Sequence, residues 1–86
     1  MKDLEKIFKA FANKRRLAII KYLKTQKEAS VGQIADEISL SLKATSKHLG
    51  ILSAVDMVDK EQKSLMMFYR ISNNQRPVAK QIIALL

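Results

Sequence analysis

The stretch that decides the fold is SLKATSKHLGIL, from Ser41 to Leu52. Thr45, Leu49 and Leu52 fall at i, i+4 and i+7, so on an α-helix they form one stripe, which we expect to be buried. The opposite side carries cations, a hydroxyl and a glycine, and no acid: Lys43, Ser46, Lys47 and Gly50. A helix with this surface can enter the major groove of DNA, where lysine reaches phosphates or guanine and a small residue permits close approach.

Length and composition predict a single domain over residues 1–86. The chain has 86 residues, 48% of them hydrophobic, which is enough for one core. It has no cysteine, so disulfides and thiolate-bound zinc cannot stabilise it. Oligomerisation is the expected additional source of stability.

The charge indicates a polyanionic partner. The net charge of +8 suits nucleic acid or an anionic membrane surface. No apolar run approaches the ~20 residues of a membrane span, and no signal peptide precedes the domain. We therefore expect a cytoplasmic protein that does not associate with a membrane.

Three helices are predicted before the quoted stretch. The first has an apolar stripe and Asp3 as a candidate N-cap. Asn13 interrupts the pattern, and a second helix follows from about Lys14 to Lys24. Ser30 and Gln33 form a capping box that opens a short third helix. Ser41 can cap the fourth helix, which ends around Ala54, so the third and fourth helices are joined as in a helix-turn-helix.

A hairpin and a last helix complete the pattern. Beyond Asp56 the period becomes that of strands, with Gln62, Lys63 and Ser64 predicted between two strands, the second of which lies within Leu65 to Ile71. The last helix spans Gln75 to Leu86, with Pro77 tolerated in its first turn. The predicted fold is mainly α, a winged helix-turn-helix with five helices and a two- to three-stranded wing.

Three segments resemble the ArsR family of bacterial and archaeal repressors. FANKRRLAIIKYL, from Phe11 to Leu23, is similar to the second-helix signature of that family. Ser46 to Leu49 with Leu52 is similar to its recognition helix, and Tyr69 to Ile71 to its second wing strand. The resemblance implies a transcriptional repressor. It also implies a homodimer, paired through the first and last helices, on a double-stranded DNA operator with two-fold symmetry.

The metal-sensing ligands of many ArsR-type proteins are missing. The third helix opens Ser-Val-Gly-Gln from Ser30, and the last helix offers Gln75, Arg76, Lys80 and Gln81. Neither set can hold a soft or borderline metal, so we expect no metal site and no cofactor. A glycine usual in the family before the first wing strand is also replaced, by Val55-Asp56.

Two residue sets are predicted to act in binding. The DNA-contacting set is Ser41, Lys43, Ala44, Ser46, Lys47, Gly50, Lys60 and Lys63. The dimer set is Leu4, Ile7, Phe8, Phe11, Val78, Ile82 and Leu85. Acids offset the cations of the wing, which argues against strong minor-groove contact there.

Each of these residues also has a structural interpretation. Lys43 and Lys47 could simply be solvated, and the last helix could belong to the core. His48 is more typical of a hydrogen-bonded residue at the edge of a core than of a ligand or catalyst. The run Lys14-Arg15-Arg16 could clamp phosphate or mark a nuclear localisation patch, but solvation is the more ordinary role of Lys14 and Arg15. The family resemblance makes Arg16 structural.

Two functions remain open from the sequence. One is a dimeric, sequence-specific DNA-binding repressor, and the other is a winged-helix module for protein or RNA contact. No acid, base or nucleophile stands at a spacing that supports catalysis, so we predict no enzyme and no catalytic residue. The segment Ser39 to Val55 is free of acids, which favours the DNA-binding function.

Overall fold

The computed structural model describes residues 2–86, so Met1 of the predicted domain lies outside the described residues. Within this range the elements are α1 (Lys2–Phe11), α2 (Lys14–Gln26), β1 (Ala29–Ser30), α3 (Val31–Ile38), α4 (Leu42–Ala54), β2 (Val58–Lys63), β3 (Met66–Ile71) and α5 (Pro77–Leu85). The strands form an antiparallel sheet in the order β1-β3-β2. The predicted winged helix-turn-helix is confirmed.

The junction between α1 and α2 depends on Asn13. Its side-chain Oδ1 accepts hydrogen bonds from the backbone N–H groups of Arg15 and Arg16, at 2.9 and 3.1 Å. Asn13 is therefore the N-cap of α2, which satisfies donors that the first helical turn leaves free. The prediction for Asp3 is wrong, because α1 already includes Lys2 and Asp3 lies within its first turn. A carboxylate is still favourable there, next to the positive end of the helix dipole.

The helix-turn-helix is formed by α3 and α4 and follows the predicted caps. The hydroxyl of Ser30 accepts from Gln33 N–H at 3.2 Å, and the Gln33 amide oxygen accepts from Ser30 N–H at 2.9 Å, which confirms the capping box. Ser39 ends α3 in the left-handed conformation, with φ of 55°. Ser41 then caps α4 by accepting from Ala44 N–H at 3.1 Å. Three residues are thus enough to turn the chain between the two helices.

The wing differs from its prediction in the position of its turn. Lys63 pairs with Met66, so the turn is Ser64-Leu65. β2 therefore includes Gln62 and Lys63, which the sequence predicts in the loop. Ser64 adopts the positive φ of 59° that the tight turn requires, without a glycine. The short strand β1 adds a third strand by pairing Ala29 with Tyr69.

One core joins all the elements. Its members include Ile7, Phe11, Ile19, Ile20, Leu23, Ile34, Leu49, Leu52, Met57, Val58, Tyr69, Ala79 and Ile83. On α5 the buried residues are Ala79 and Ile83, whereas Val78 and Ile82 are only half-buried. The Lys24 ammonium fixes the end of α5 by donating to the carbonyl of Ile83 at 3.0 Å. The apolar face of α5 is therefore turned by about one residue from the predicted side, and the helix contributes to the core.

Candidate nucleic-acid interface

The recognition helix α4 has the two faces that the sequence predicts. The side chains of Thr45, Leu49 and Leu52 are fully buried. The four residues predicted for the opposite face are exposed: Lys43, Ser46, Lys47 and Gly50. Apart from its chain neighbours and the adjacent backbone of α4, a Cβ atom added at Gly50 would meet no protein atom within 4 Å. This glycine is therefore not required by internal packing, and it leaves the middle of the exposed face low.

Two arginines of α2 hold the helix-turn-helix in place. The Arg15 guanidinium donates to the carbonyl of Ile38, at the end of α3, at 3.0 Å. The prediction that Arg15 is solvated is therefore wrong. Arg16 donates to Ala10 O at 2.7 Å and to Lys9 O at 2.9 Å. Its NH1 group also forms a hydrogen bond with the His48 ring on α4. These contacts confirm the structural role that the resemblance implies for Arg16.

His48 is a half-buried residue at the edge of the core. Its ring Nδ1 lies 3.2 Å from NH1 of Arg16. Burial is the main cause that lowers the pKa of His48 below its usual value. The neighbouring charges of Arg16, Arg15 and Lys47 lower it further. At neutral pH the ring is therefore uncharged, and its Nδ1 can accept a hydrogen bond from the Arg16 guanidinium.

Three residues at the start of α4 differ in how far they are available to a partner. The hydroxyl of Ser41 is engaged in the helix cap, and Ala44 is half-buried. Leu42, which is not among the predicted DNA-contacting residues, is 60% exposed. It stands three residues before Thr45, so periodicity alone would have placed it in the buried stripe. The signal that could have found it is its position at the first turn, beyond the edge of the core.

The wing uses much of its positive charge internally. The Lys63 ammonium forms an ion pair with Glu28 at 2.6 Å, and this hydrogen bond is the main cause that raises the pKa of Lys63. Arg70 pairs with Glu61 at 3.2 Å. Lys60 is exposed on β2 and forms no ion pair with any residue in the described range. Of the two lysines predicted for the wing, Lys60 is thus the more available for a nucleic acid.

A family model described as a helix-turn-helix domain matches residues 11–61, which is more than half of the chain. The chain belongs to the helix-turn-helix domain family. HlyU of Vibrio cholerae, described as a transcriptional activator, is 35% identical over 69 residues, which cover 80% of this chain. That alignment covers 63% of HlyU, so the chain spans less than two thirds of the length of this relative.

Solved structures agree with this family assignment. The structure of Vibrio cholerae HlyU has a TM-score of 0.83 and 32% identity, and the match covers 98% of this chain and 87% of that one. The repressor PagR of Bacillus anthracis has a TM-score of 0.79 and 27% identity, with 98% and 92% covered. A homodimeric winged helix-turn-helix domain of Mycobacterium bovis, described as a possible ArsR-family regulator, has a TM-score of 0.82 and 28% identity, with 98% and 74% covered.

These findings confirm the resemblance to the ArsR family. The relatives named above are transcription regulators, which agrees with the prediction of no enzymatic activity. Among residues 2–86, no group of three or more histidine, cysteine or acidic side chains could hold a metal ion. No helix in the same range is long and apolar enough to cross a membrane.

The residues predicted for a dimer fall into three groups by their burial in the protomer. Ile7 and Phe11 are 3% and 6% exposed, so they belong to the core of the protomer and are not available to a partner. Phe8 and Leu85 are 51% and 85% exposed. The remaining members are half-buried: Leu4, Val78 and Ile82. The ion pair between Asp3 and Arg76, at 3.4 Å, brings the beginnings of α1 and α5 together.

Proposed function

We propose that the protein is a cytoplasmic, homodimeric transcriptional repressor that binds a specific double-stranded DNA operator of two-fold symmetry, with residues 1–86 as one DNA-binding domain. The observation that carries this proposal is the exposed, acid-free face of α4. Arg16 joins this helix to α2 through His48, and Arg15 joins α3 to α2 through the carbonyl of Ile38. Helix-turn-helix proteins place such a helix in the major groove. Repression is the proposed mode because occupancy of an operator is sufficient for it.

The contacts divide by chemistry. Lys43 and Lys47 provide charge for phosphates or for guanine O6 and N7. Ser46 offers a hydroxyl to a base edge, and Gly50 lets the helix backbone approach the DNA. Ser41 and Ala44 lie in the first turn of α4, where the helix dipole favours a phosphate. The Ala44 N–H is already bonded to the Ser41 hydroxyl, so this contact would use the other N–H groups of the turn. The exposed Lys60 adds a phosphate contact from the wing, whereas Lys63 contributes less because Glu28 neutralises it.

The proposed dimer uses the outer faces of α1 and α5. Phe8 and Leu85 are large apolar side chains exposed on the protomer, and a partner that covered them would remove apolar surface from water. Half-buried Leu4, Val78 and Ile82 adjoin this surface on the same two helices. A two-fold axis there can place the recognition helices on the order of 34 Å apart, one turn of DNA.

The test is a selection of bound duplexes from a random library, at moderate salt and with excess competitor DNA. The proposal predicts enrichment of one palindromic sequence, bound by two copies of the chain. Enrichment without a common sequence would contradict specific DNA binding and would favour the module for protein or RNA contact. A single half-site bound by one chain would contradict the two-fold operator.

A further inference from the structure

Leu42 is an apolar side chain that folding leaves in water. It is the first residue of α4 and is 60% exposed. Thr45 and Leu49, at i+3 and i+7, are fully buried, so Leu42 continues their stripe past the edge of the core. Leu40, two residues earlier, packs against the core instead. Packing within the described residues therefore does not account for a leucine at position 42.

The position of Leu42 distinguishes it from the other exposed apolar residues. Phe8 and Leu85 lie on the helices proposed for the dimer, and Leu65 and Met66 lie at the turn of the wing. Ile51 also lies on α4, but near the C-terminal end of the helix, and it is only 37% exposed. Leu42 lies in the first turn of the recognition helix, the part that helix-turn-helix proteins direct at base edges. It is adjacent to Lys43 in the chain, on a helix without an acidic residue.

We propose that Leu42 contacts the C5-methyl group of thymine in the major groove and thereby specifies a T·A pair in each half-site. This inference rests on the proposed DNA-binding function. The thymine methyl is the apolar group that base edges present in the major groove. Beside any other base, the leucine would cover a polar donor or acceptor without offering it a hydrogen bond, which is unfavourable. Leu42 therefore selects by attraction to one base and by poor pairing with the others.

The test replaces thymine by deoxyuridine, which lacks only that methyl group. Each thymine of the sequence enriched in the library selection is exchanged in turn, together with its symmetry mate, and the dissociation constant is measured. A buried CH₂-sized group contributes about 0.8 kcal/mol, which corresponds to about fourfold in affinity. The wild type is expected to lose about fourfold per half-site at one symmetric position, and Leu42→Ala is expected to bind both duplexes equally there.

Leu65→Ala is the matched control, because it truncates an exposed leucine outside α4. It should keep the wild-type sensitivity to deoxyuridine, and Leu42→Met should keep most of it because an apolar side chain remains. Tight operator binding by the wild type without a deoxyuridine effect at any position would overturn the role of Leu42 and leave the proposed function intact. So would an effect that persists in Leu42→Ala. Failure to enrich any sequence would overturn both proposals.

Discussion

Arg16 and His48 are joined by a hydrogen bond of 3.2 Å between a guanidinium NH1 group and the ring Nδ1 atom. The same guanidinium donates to the carbonyl groups of Lys9 and Ala10 at the end of α1. A single planar cation thus satisfies the last carbonyls of one helix and holds the recognition helix. The orientation of α4 relative to α1 and α2 depends on this side chain.

Replacing Arg16 by lysine tests this anchor. Lysine keeps the charge but cannot donate in several directions from a rigid plane. We expect Arg16→Lys to lower the free energy of unfolding by about 1–2 kcal/mol and to weaken DNA binding. Urea unfolding and a binding titration measure the two effects. Lys14→Ala, at an exposed neighbour, is the control and should be nearly neutral. An Arg16→Lys protein with wild-type stability and affinity would contradict the anchoring role.

Acidification should break the hydrogen bond between Arg16 and His48, because a protonated ring nitrogen cannot accept from the guanidinium. The pKa of His48 is lower in the folded state than in the unfolded chain. As the pH falls through the pKa of the unfolded chain, the unfolded state therefore binds more protons than the folded state. The free energy of unfolding should therefore fall as the pH falls from about 7 through the folded pKa. Unfolding curves at a series of pH values measure it. His48→Gln should remove this slope between pH 7 and 5, and an unchanged slope would show that other groups cause it.

Substitution of Gly50 by alanine should separate stability from function. Glycine in a helix interior is less stable than alanine by roughly 0.5–1 kcal/mol, and the added Cβ at position 50 meets no protein atom. We expect Gly50→Ala to raise thermal stability and to weaken operator binding, since the methyl group would stand between helix and DNA. Gly32→Ala, in α3, is the control and should leave affinity close to wild type. Undiminished affinity in Gly50→Ala would mean that the backbone does not approach DNA there.

Charge reversal at Lys47 should reduce DNA affinity strongly without unfolding the protein. The side chain is exposed, so stability should change by less than about 0.5 kcal/mol. Each phosphate contact contributes about 0.9 to the slope of log affinity against log salt, so that slope should also become smaller. Lys21→Glu, on the exposed side of α2, matches the charge change. Equal losses in the two variants would show that net charge matters and position does not.

Leu85→Glu should dissociate the proposed dimer. The residue is 85% exposed in the protomer, so a charge there leaves the core intact but would be buried without a partner in the interface. Light scattering should report a monomer, circular dichroism an unchanged helix content, and operator binding should weaken. Leu65→Glu, at the wing turn, should remain dimeric. A dimeric Leu85→Glu protein, or a monomeric wild type at tens of micromolar, would contradict the proposed interface.

Local chemistry made much of this fold predictable. Asn13 stops one pattern, the Ser30 and Gln33 capping box opens α3, and Ser41 caps α4, and each of these signals acts within about four residues. The two faces of α4 follow from helical period alone. The burial of Ala79 and Ile83 could not be predicted, because α5 has apolar residues on more than one side. The spacing of its apolar residues therefore does not indicate which face packs against the core.

Contacts between residues far apart in sequence were not predictable in the same way. Arg15 donates to the carbonyl of Ile38, and Lys63 donates to Glu28. These partners are 23 and 35 residues apart in the sequence, so no local pattern indicates either contact. The predicted position of the wing turn differs from the observed one because cross-strand pairing fixes the register and no glycine marks the turn in the sequence. The two residues of β1 are too few to show a strand period. The exposure of Leu42 likewise depends on where the core ends.

Ser30 belongs to two structures at once. Its backbone is the last residue of β1, paired with Phe68 of the wing, and its hydroxyl is the cap of α3. No linker separates the sheet from the helix-turn-helix at this point, so the two cannot be exchanged independently between related regulators. In a chimera with the hairpin of a relative, the new β3 would have to pair with Ser30 without displacing its hydroxyl from the cap of α3. The smallest segment that could be transferred to a related protein as a unit therefore runs from Ala29 to the end of β3. DNA specificity should be easier to change by substituting side chains within this segment than by exchanging the hairpin alone.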